Sequence, residues 1–354
     1  MKKQPWLYNA FSDGAFILSP PFLSLLIVFL FPSLFTNSAG MPEIWWVFLI
    51  LLIDVAHVYS TLFRTYFDKS MQQERSQLLI IIPLLCFASG VLLYSVSYMV
   101  FWRCMAYIAV FHFVRQQYGF MRLYGRKEIQ TKLFLWIDKI TIYTATIYPI
   151  IFWHLSTPRN FNWFVDGDFY IFKSNLLLTV AGVCYGIILL VYACKEIYQV
   201  IKTKFINLPK NMVIIGTIVS WYFGIVYFNG DMAFTLLNVV SHGIPYMFLI
   251  WVYGKKNYAN NTKGGTFLKK VFSKYGWLIF LGIIFILAYS EEGLWDLFVW
   301  NENRKIFDVI NAASVNIDNR WLNIIVPLLA VPQLTHYVID GFIWRISKKE
   351  VQVD

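Results

Sequence analysis

Charge is scarce in this chain. Asp, Glu, Lys and Arg make up 14% of its 354 residues, against about 25% in an ordinary soluble domain. With 58% hydrophobic residues and a mean hydropathy of +0.56, this excludes an ordinary soluble class. Cysteine is also sparse: Cys86, Cys104, Cys184 and Cys194 all lie in apolar sequence, and none forms a C-x-x-C pair. Neither a disulfide framework nor a thiolate cluster is therefore expected. No repeat, low-complexity tract or soluble domain is evident. No cleavable leader is expected, because Pro20-Pro21 interrupts the apolar run after Met1-Lys2-Lys3. Histidine is nearly as rare as cysteine, with five in all.

Aromatic residues, by contrast, are abundant at 19%, with 32 Phe, 22 Tyr and 14 Trp. Interfacial belts need fewer, so aromatics must also line the interior. A spanning helix takes about 20 apolar residues. Ten segments qualify, at roughly 15–35, 44–63, 77–95, 99–120, 133–155, 174–194, 211–228, 232–253, 275–290 and 321–344. The expected fold is all-α: a polytopic membrane bundle forming a single domain over 1–354.

The net charge of +10 reflects topology, because its basic residues are confined to short loops. With a cytoplasmic N-terminus, only Arg159, Lys173, Arg304, Lys305 and Arg320 fall outside, and Arg103, Arg115 and Lys139 lie within spans. The other 22 of the 30 basic residues are inside, as the positive-inside rule requires. Both termini are thus expected in the cytoplasm, within a bacterial-type cytoplasmic membrane. Membrane lipids are the expected surroundings, and nucleic acid is not a partner. The outer connection 291–320, with six carboxylates and Trp295, Leu297, Phe298 and Trp300, is expected to be a loop or interfacial helix. Asp166-Gly167-Asp168 has the D-x-D form of metal–sugar-nucleotide sites and is taken as a solvated turn.

Four of the five histidines lie deep in spans: His57, His112, His242 and His336. Each is 10 to 15 residues from the outer edge of its span, so at about 1.5 Å per residue they share one level near the midplane. Each has polar company at helical spacing. Asp54, His57, Thr61 and Arg64 form one stripe, His112, Arg115, Gln116 and Gly119 a second, and Gln333, His336 and Asp340 a third. Asn238 precedes His242 by one turn, and Gly243 and Pro245 should loosen the backbone after it. Such faces are costly in lipid and should meet one another.

Neutral imidazole binds iron, zinc and copper, and Asp54 and Asp340 are placed to support the rings or to ligate. His154, near an outer helix end, reads as an ordinary interfacial residue. Arg64 and Arg345, at inner helix ends, are expected to snorkel to headgroups. The deeper Arg115 is a candidate for binding a carboxylate or tying helices together. Tyr59, Tyr118, Tyr246 and Tyr337 are possible hydrogen-bond donors.

The stretch Val331-Pro332-Gln333-Leu334-Thr335-His336-Tyr337-Val338-Ile339-Asp340-Gly341-Phe342-Ile343-Trp344-Arg345 resembles the C-terminal histidine helix of the Brp/Blh β-carotene dioxygenase family. His112-Phe113-Val114-Arg115-Gln116 is similar to that family's histidine–arginine helix. The likeness covers about two helices. It implies a polytopic, iron-dependent oxygenase that cleaves a polyene lipid. Membrane desaturases and hydroxylases need histidine boxes that five isolated histidines cannot supply.

The leading expectation is therefore one non-haem iron (or zinc or copper) held by His57, His112, His242 and His336, with Asp54 and Asp340 beside it. Tyr337 and Arg115 are the candidate catalytic groups. O2 and an apolar lipid or isoprenoid are the expected substrates, entering among the aromatics. Two alternatives use the same histidines: a proton-coupled or metal transporter, and a bis-histidine haem protein for electron transfer.

Overall fold

The structure, a computed structural model, describes residues 3–36, 40–259, 265–308 and 318–344. Arg345 and the part of the outer connection at 309–317 lie outside the described residues. Among the described residues all regular structure is helical and no strand occurs. The helices are α1 (Ala10–Leu18), α2 (Pro20–Leu30), α3 (Pro32–Phe35), α4 (Glu43–Arg64), α5 (Lys69–Val96), α6 (Tyr98–Tyr124), α7 (Lys132–Leu155), α8 (Asn175–Thr203), α9 (Leu208–Tyr227), α10 (Asp231–Asn257), α11 (Gly265–Val271), α12 (Trp277–Trp300), α13 (Asn319–Leu329) and α14 (Val331–Ile343).

Helix covers each of the ten expected segments. Among the described residues, six helices are long and apolar enough to cross a membrane: α4, α5, α8, α9, α10 and α12. Counting each bent pair as one span raises this to eight: α1 with α2, bent 54°, and α13 with α14, bent 41°. Proline explains both bends. Pro20 and Pro332 stand at the starts of their second helices, where their missing N–H costs nothing but cannot continue the first helix. The other two expected spans, α6 and α7, have 27 and 24 residues. They are long enough but more polar, carrying Arg103, Arg115, Gln116, Gln117 and Arg122, and Lys132, Asp138 and Lys139.

Short polar side chains start the helices where the loops end. Asp68 accepts from Ser70 N, Thr131 from Phe134 N, Ser174 from Leu177 N and Asn207 from Lys210 N. The ninth segment runs further than its hydropathy implied. α12 continues to Trp300, so of the loop or helix expected for the outer connection, 291–300 is helix. Its acids break the apolar pattern in sequence, yet Glu291 and Asp296 are buried beside Trp295.

The chain divides into two compact units. One comprises Met1–Met41 and Ala109–Pro245, the other Pro42–Ile108 and Tyr246–Arg345. α6 and α10 are continuous across the division.

In the first unit α7 packs on α8 and α9, and α9 on α2. A buried ionic group ties these helix ends together. Lys195 pairs with Asp138 and Glu196. Lys210 lies 3.0 Å from Glu128, 2.9 Å from Glu196 and 3.5 Å from Asp138. Charges out of water persist only when so partnered.

In the second unit α14 and α13 pack on α5, and α12 on α4. Its core is aromatic, with Phe63 4.8 Å from Phe280 and 5.9 Å from Phe272. Gly254 admits Phe272: a Cβ there would stand 2.2 Å from the ring.

Lys210 is 1% exposed. Removing one partner of a buried ion pair strands the others and costs roughly 3–5 kcal/mol. Lys210→Met should therefore lower the thermal unfolding midpoint of the detergent-solubilised protein markedly. An unchanged midpoint would show that the group contributes no stability.

Candidate metal centre

His57 and His336 belong to the second unit. α4 carries the first through three windings: a π segment at Val47–Val55, α-helix at Ala56–Ser60 and a 3-10 turn at Thr61–Arg64. The stripe Asp54, His57, Thr61 and Arg64, expected at one helical pitch, is thus not built at one pitch. π segments recur at functional sites.

His57 is 2% exposed, and its Nδ1 lies 3.3 Å from Ile53 O and 3.9 Å from Asp54 Oδ1. A carbonyl only accepts, so Nδ1 carries the hydrogen and the lone pair belongs to Nε2. On α14, His336 is also 2% exposed, with Nδ1 2.7 Å from Thr61 Oγ1 and 3.8 Å from Asp340 Oδ1. Tyr246 Oη lies 2.9 Å from Thr61 Oγ1 and donates to Asp340 Oδ1 at 2.5 Å. The two imidazoles meet edge to face, centroids 5.1 Å apart.

Arg64 departs from the snorkelling expectation. It is half-buried, its guanidinium 4.0 Å from the Tyr253 ring centre and 3.7 Å from Trp344, and it donates to Ile343 O. Stacking on aromatic faces and capping a carbonyl hold it within the unit.

His112 and His242 belong to the first unit, 4% and 1% exposed, with ring centroids also 5.1 Å apart. His242 stacks flat on Phe113 at 3.6 Å. The expected loosening around Gly243 and Pro245 does not interrupt the helix, since α10 runs through both. Pro245 has no N–H to give to Ser241 O, four residues before it. Side chains of α6 serve the carbonyls there instead. Gln117 Nε2 donates to Ser241 O at 3.4 Å, and Gln116 Nε2 to His242 O at 2.9 Å.

The four histidines are all buried, and one ligand atom from each lies within 4.8 Å of the others. This is a cluster that could bind a metal. At metal–N bonds near 2.0–2.1 Å, ligand nitrogens around one ion stand roughly 3–4 Å apart. The donor set suits a borderline cation such as iron, zinc or copper.

Asp54 and Asp340 stand outside that four-histidine group, on the Nδ1 sides of His57 and His336. Tyr337 is buried next to His336 in the chain, hydrogen-bonded to Gln333. Arg115 is exposed and donates to Tyr143 Oη at 3.0 Å, tying α6 to α7. The tyrosine bonded into the histidine surroundings is Tyr246. Thr61 and Gln116 stood in the expected stripes without a role. The need for Gln116 and Gln117 could have been read from Pro245, which strands a carbonyl four residues back.

His154, half-buried, faces Tyr170 O with its Nδ1. In the loop Ser156–Ser174 only part of the expected solvated turn holds. Gly167 takes φ 78° and Asp166 is exposed, but Asp168 is buried and accepts from the N–H groups of Trp163, Phe164 and Val165. Burial pushes its carboxyl upward, opposed by those N–H groups. In the same loop burial draws Arg159 down to about 10, where it stays charged at neutral pH and donates to Phe228 O.

No family model, curated protein or solved structure matches the chain.

His242 O is buried, and an unsatisfied buried carbonyl costs about 1–3 kcal/mol. Gln116→Leu should lower the thermal unfolding midpoint accordingly, with Gln116→Glu also destabilising because a carboxylate cannot donate. Equal midpoints for wild type and Gln116→Leu would show that the carbonyl is served otherwise.

Proposed function

We propose that His57, His112, His242 and His336 hold one non-haem iron, and that the protein is a membrane oxygenase acting on an apolar lipid or isoprenoid. The observation that carries the metal reading is the convergence of four buried imidazole ligand atoms within 4.8 Å. The likeness of Val331–Arg345 and His112–Gln116 to Brp/Blh proteins favours iron, O2 and a polyene substrate. The proposed setting is a bacterial cytoplasmic membrane, crossed about ten times with both termini inside, as the distribution of lysine and arginine favours.

In this reading iron supplies the redox chemistry with O2, and the protein supplies position and dryness. His57 and His336 present Nε2 because their Nδ1 atoms face Ile53 and Thr61. Gln116 fixes the backbone at His242, and Phe113 fixes the plane of its ring. Asp54 and Asp340 offset a cationic centre without entering the four-histidine group. The closeness of all four ligand atoms speaks against two haems, each between a histidine pair, because the macrocycles would need far more room. The hydroxyl chain from His336 to Asp340 keeps a proton-coupled carrier as the second reading.

Elemental analysis of the purified chain tests this. About one iron per chain and no Soret band are expected, with metal content falling in each of His57→Ala, His112→Ala, His242→Ala and His336→Ala. If all four variants retained the wild-type metal content, the shared site would be refuted. A protein devoid of metal whose histidine variants lose proton-driven uptake would favour the carrier.

A further inference from the structure

We infer that Thr61 is the positioning residue of the His336 side of the centre: its hydroxyl joins His336 Nδ1 to Tyr246 and Asp340, and so sets which ring nitrogen faces a metal. This rests on the four-histidine metal reading and adds to it a dependence on three side chains that bind no ion themselves.

The direction of the chain follows from its end. Tyr246 gives its single hydrogen to Asp340 Oδ1, so towards Thr61 its oxygen accepts. Thr61 must then donate across the 2.9 Å to Tyr246 Oη. Having one hydrogen, Thr61 has only lone pairs left for the 2.7 Å contact with His336. Nδ1 of His336 is therefore the N–H, and Nε2 carries the lone pair. With Nδ1 as the bare nitrogen the whole chain would have to run the other way, with Asp340 protonated and donating to Tyr246.

Position supports the role. Thr61 is 4% exposed and opens the 3-10 turn that closes α4, one turn after His57. Tyr246 is 1% exposed, and its ring lies 5.0 Å from His336 and 5.9 Å from His57. Asp340 follows His336 by one turn on α14. His57 needs no such chain, because its own helix supplies Ile53 O.

Partners that orient a ligating histidine typically change metal affinity 10–100-fold when removed. The test titrates the metal-free full-length protein in detergent with Co(II) alone, following ligand-field absorption and competing with a chelator. Thr61→Ser keeps the hydroxyl and should match wild type. Thr61→Val and Tyr246→Phe should each weaken Co(II) binding on the order of 10–100-fold. The double variant should lose little more than either single one, because both act through one chain. The absorption band of saturated Thr61→Val should also shift, which a loss of stability alone would not cause.

Wild-type affinity and an unshifted band in Thr61→Val would overturn the inference while leaving the metal site standing. If wild type bound no Co(II), or His336→Ala bound it as tightly as wild type, the metal reading would fail and take this inference with it. Should Thr61→Val not fold, Tyr246→Phe measured against Thr61→Ser decides the same question.

Discussion

An imidazole N–H in an apolar helical bundle must find an acceptor, and much of the described structure around the histidines answers that demand. His57 meets it locally, through the carbonyl one turn back on its own helix. His336 instead draws on Thr61, 275 residues earlier. That one hydrogen bond makes the end of α4, the middle of α10 and α14 interdependent, because Thr61 leads on to Tyr246 and Asp340. A neutral imidazole that gives its N–H to such an acceptor keeps a lone pair for a cation.

The helices around these residues depart from regular winding. α4 passes from π to α to 3-10 between Val47 and Arg64. α10 keeps its course past Pro245 because Gln116 and Gln117 serve the carbonyls at the proline. The approach to α14 is bent 41° from α13 at a proline. In hydrocarbon, each backbone group freed by such a defect must be satisfied by protein. Polar residues that look functional in sequence are partly spent on this: Gln116 and Gln117 support backbone, and Arg64 caps Ile343.

Burial of charge follows the same logic in the first unit. Lys195 and Lys210 lie among Glu128, Asp138 and Glu196, which join the α6–α7 loop to α7, α8 and α9. The basic residues that argued for topology therefore do two kinds of work. Most flank helix ends, while these two are fully engaged inside the unit.

The helical class, the long apolar helices and the four histidines as a group were legible in the sequence, because hydropathy and a constant rise per residue act locally. The sequence also singled out Asp54, Asp340 and Thr61 as company for those histidines. It ranked Tyr337 and Arg115 above Tyr246, because adjacency along a helix says nothing about which face meets another helix. It left 291–300 open between a loop and an interfacial helix, because Glu291, Glu292 and Asp296 look solvated until Trp295 and its neighbours bury two of them. Tertiary structure alone decided that the four ligand atoms converge, that Tyr246 closes the chain to Asp340, and that Arg115 turns to Tyr143. Residue spacing fixes depth and periodicity along one helix, but rotation and tilt between helices are set by packing, and chemistry between side chains depends on those.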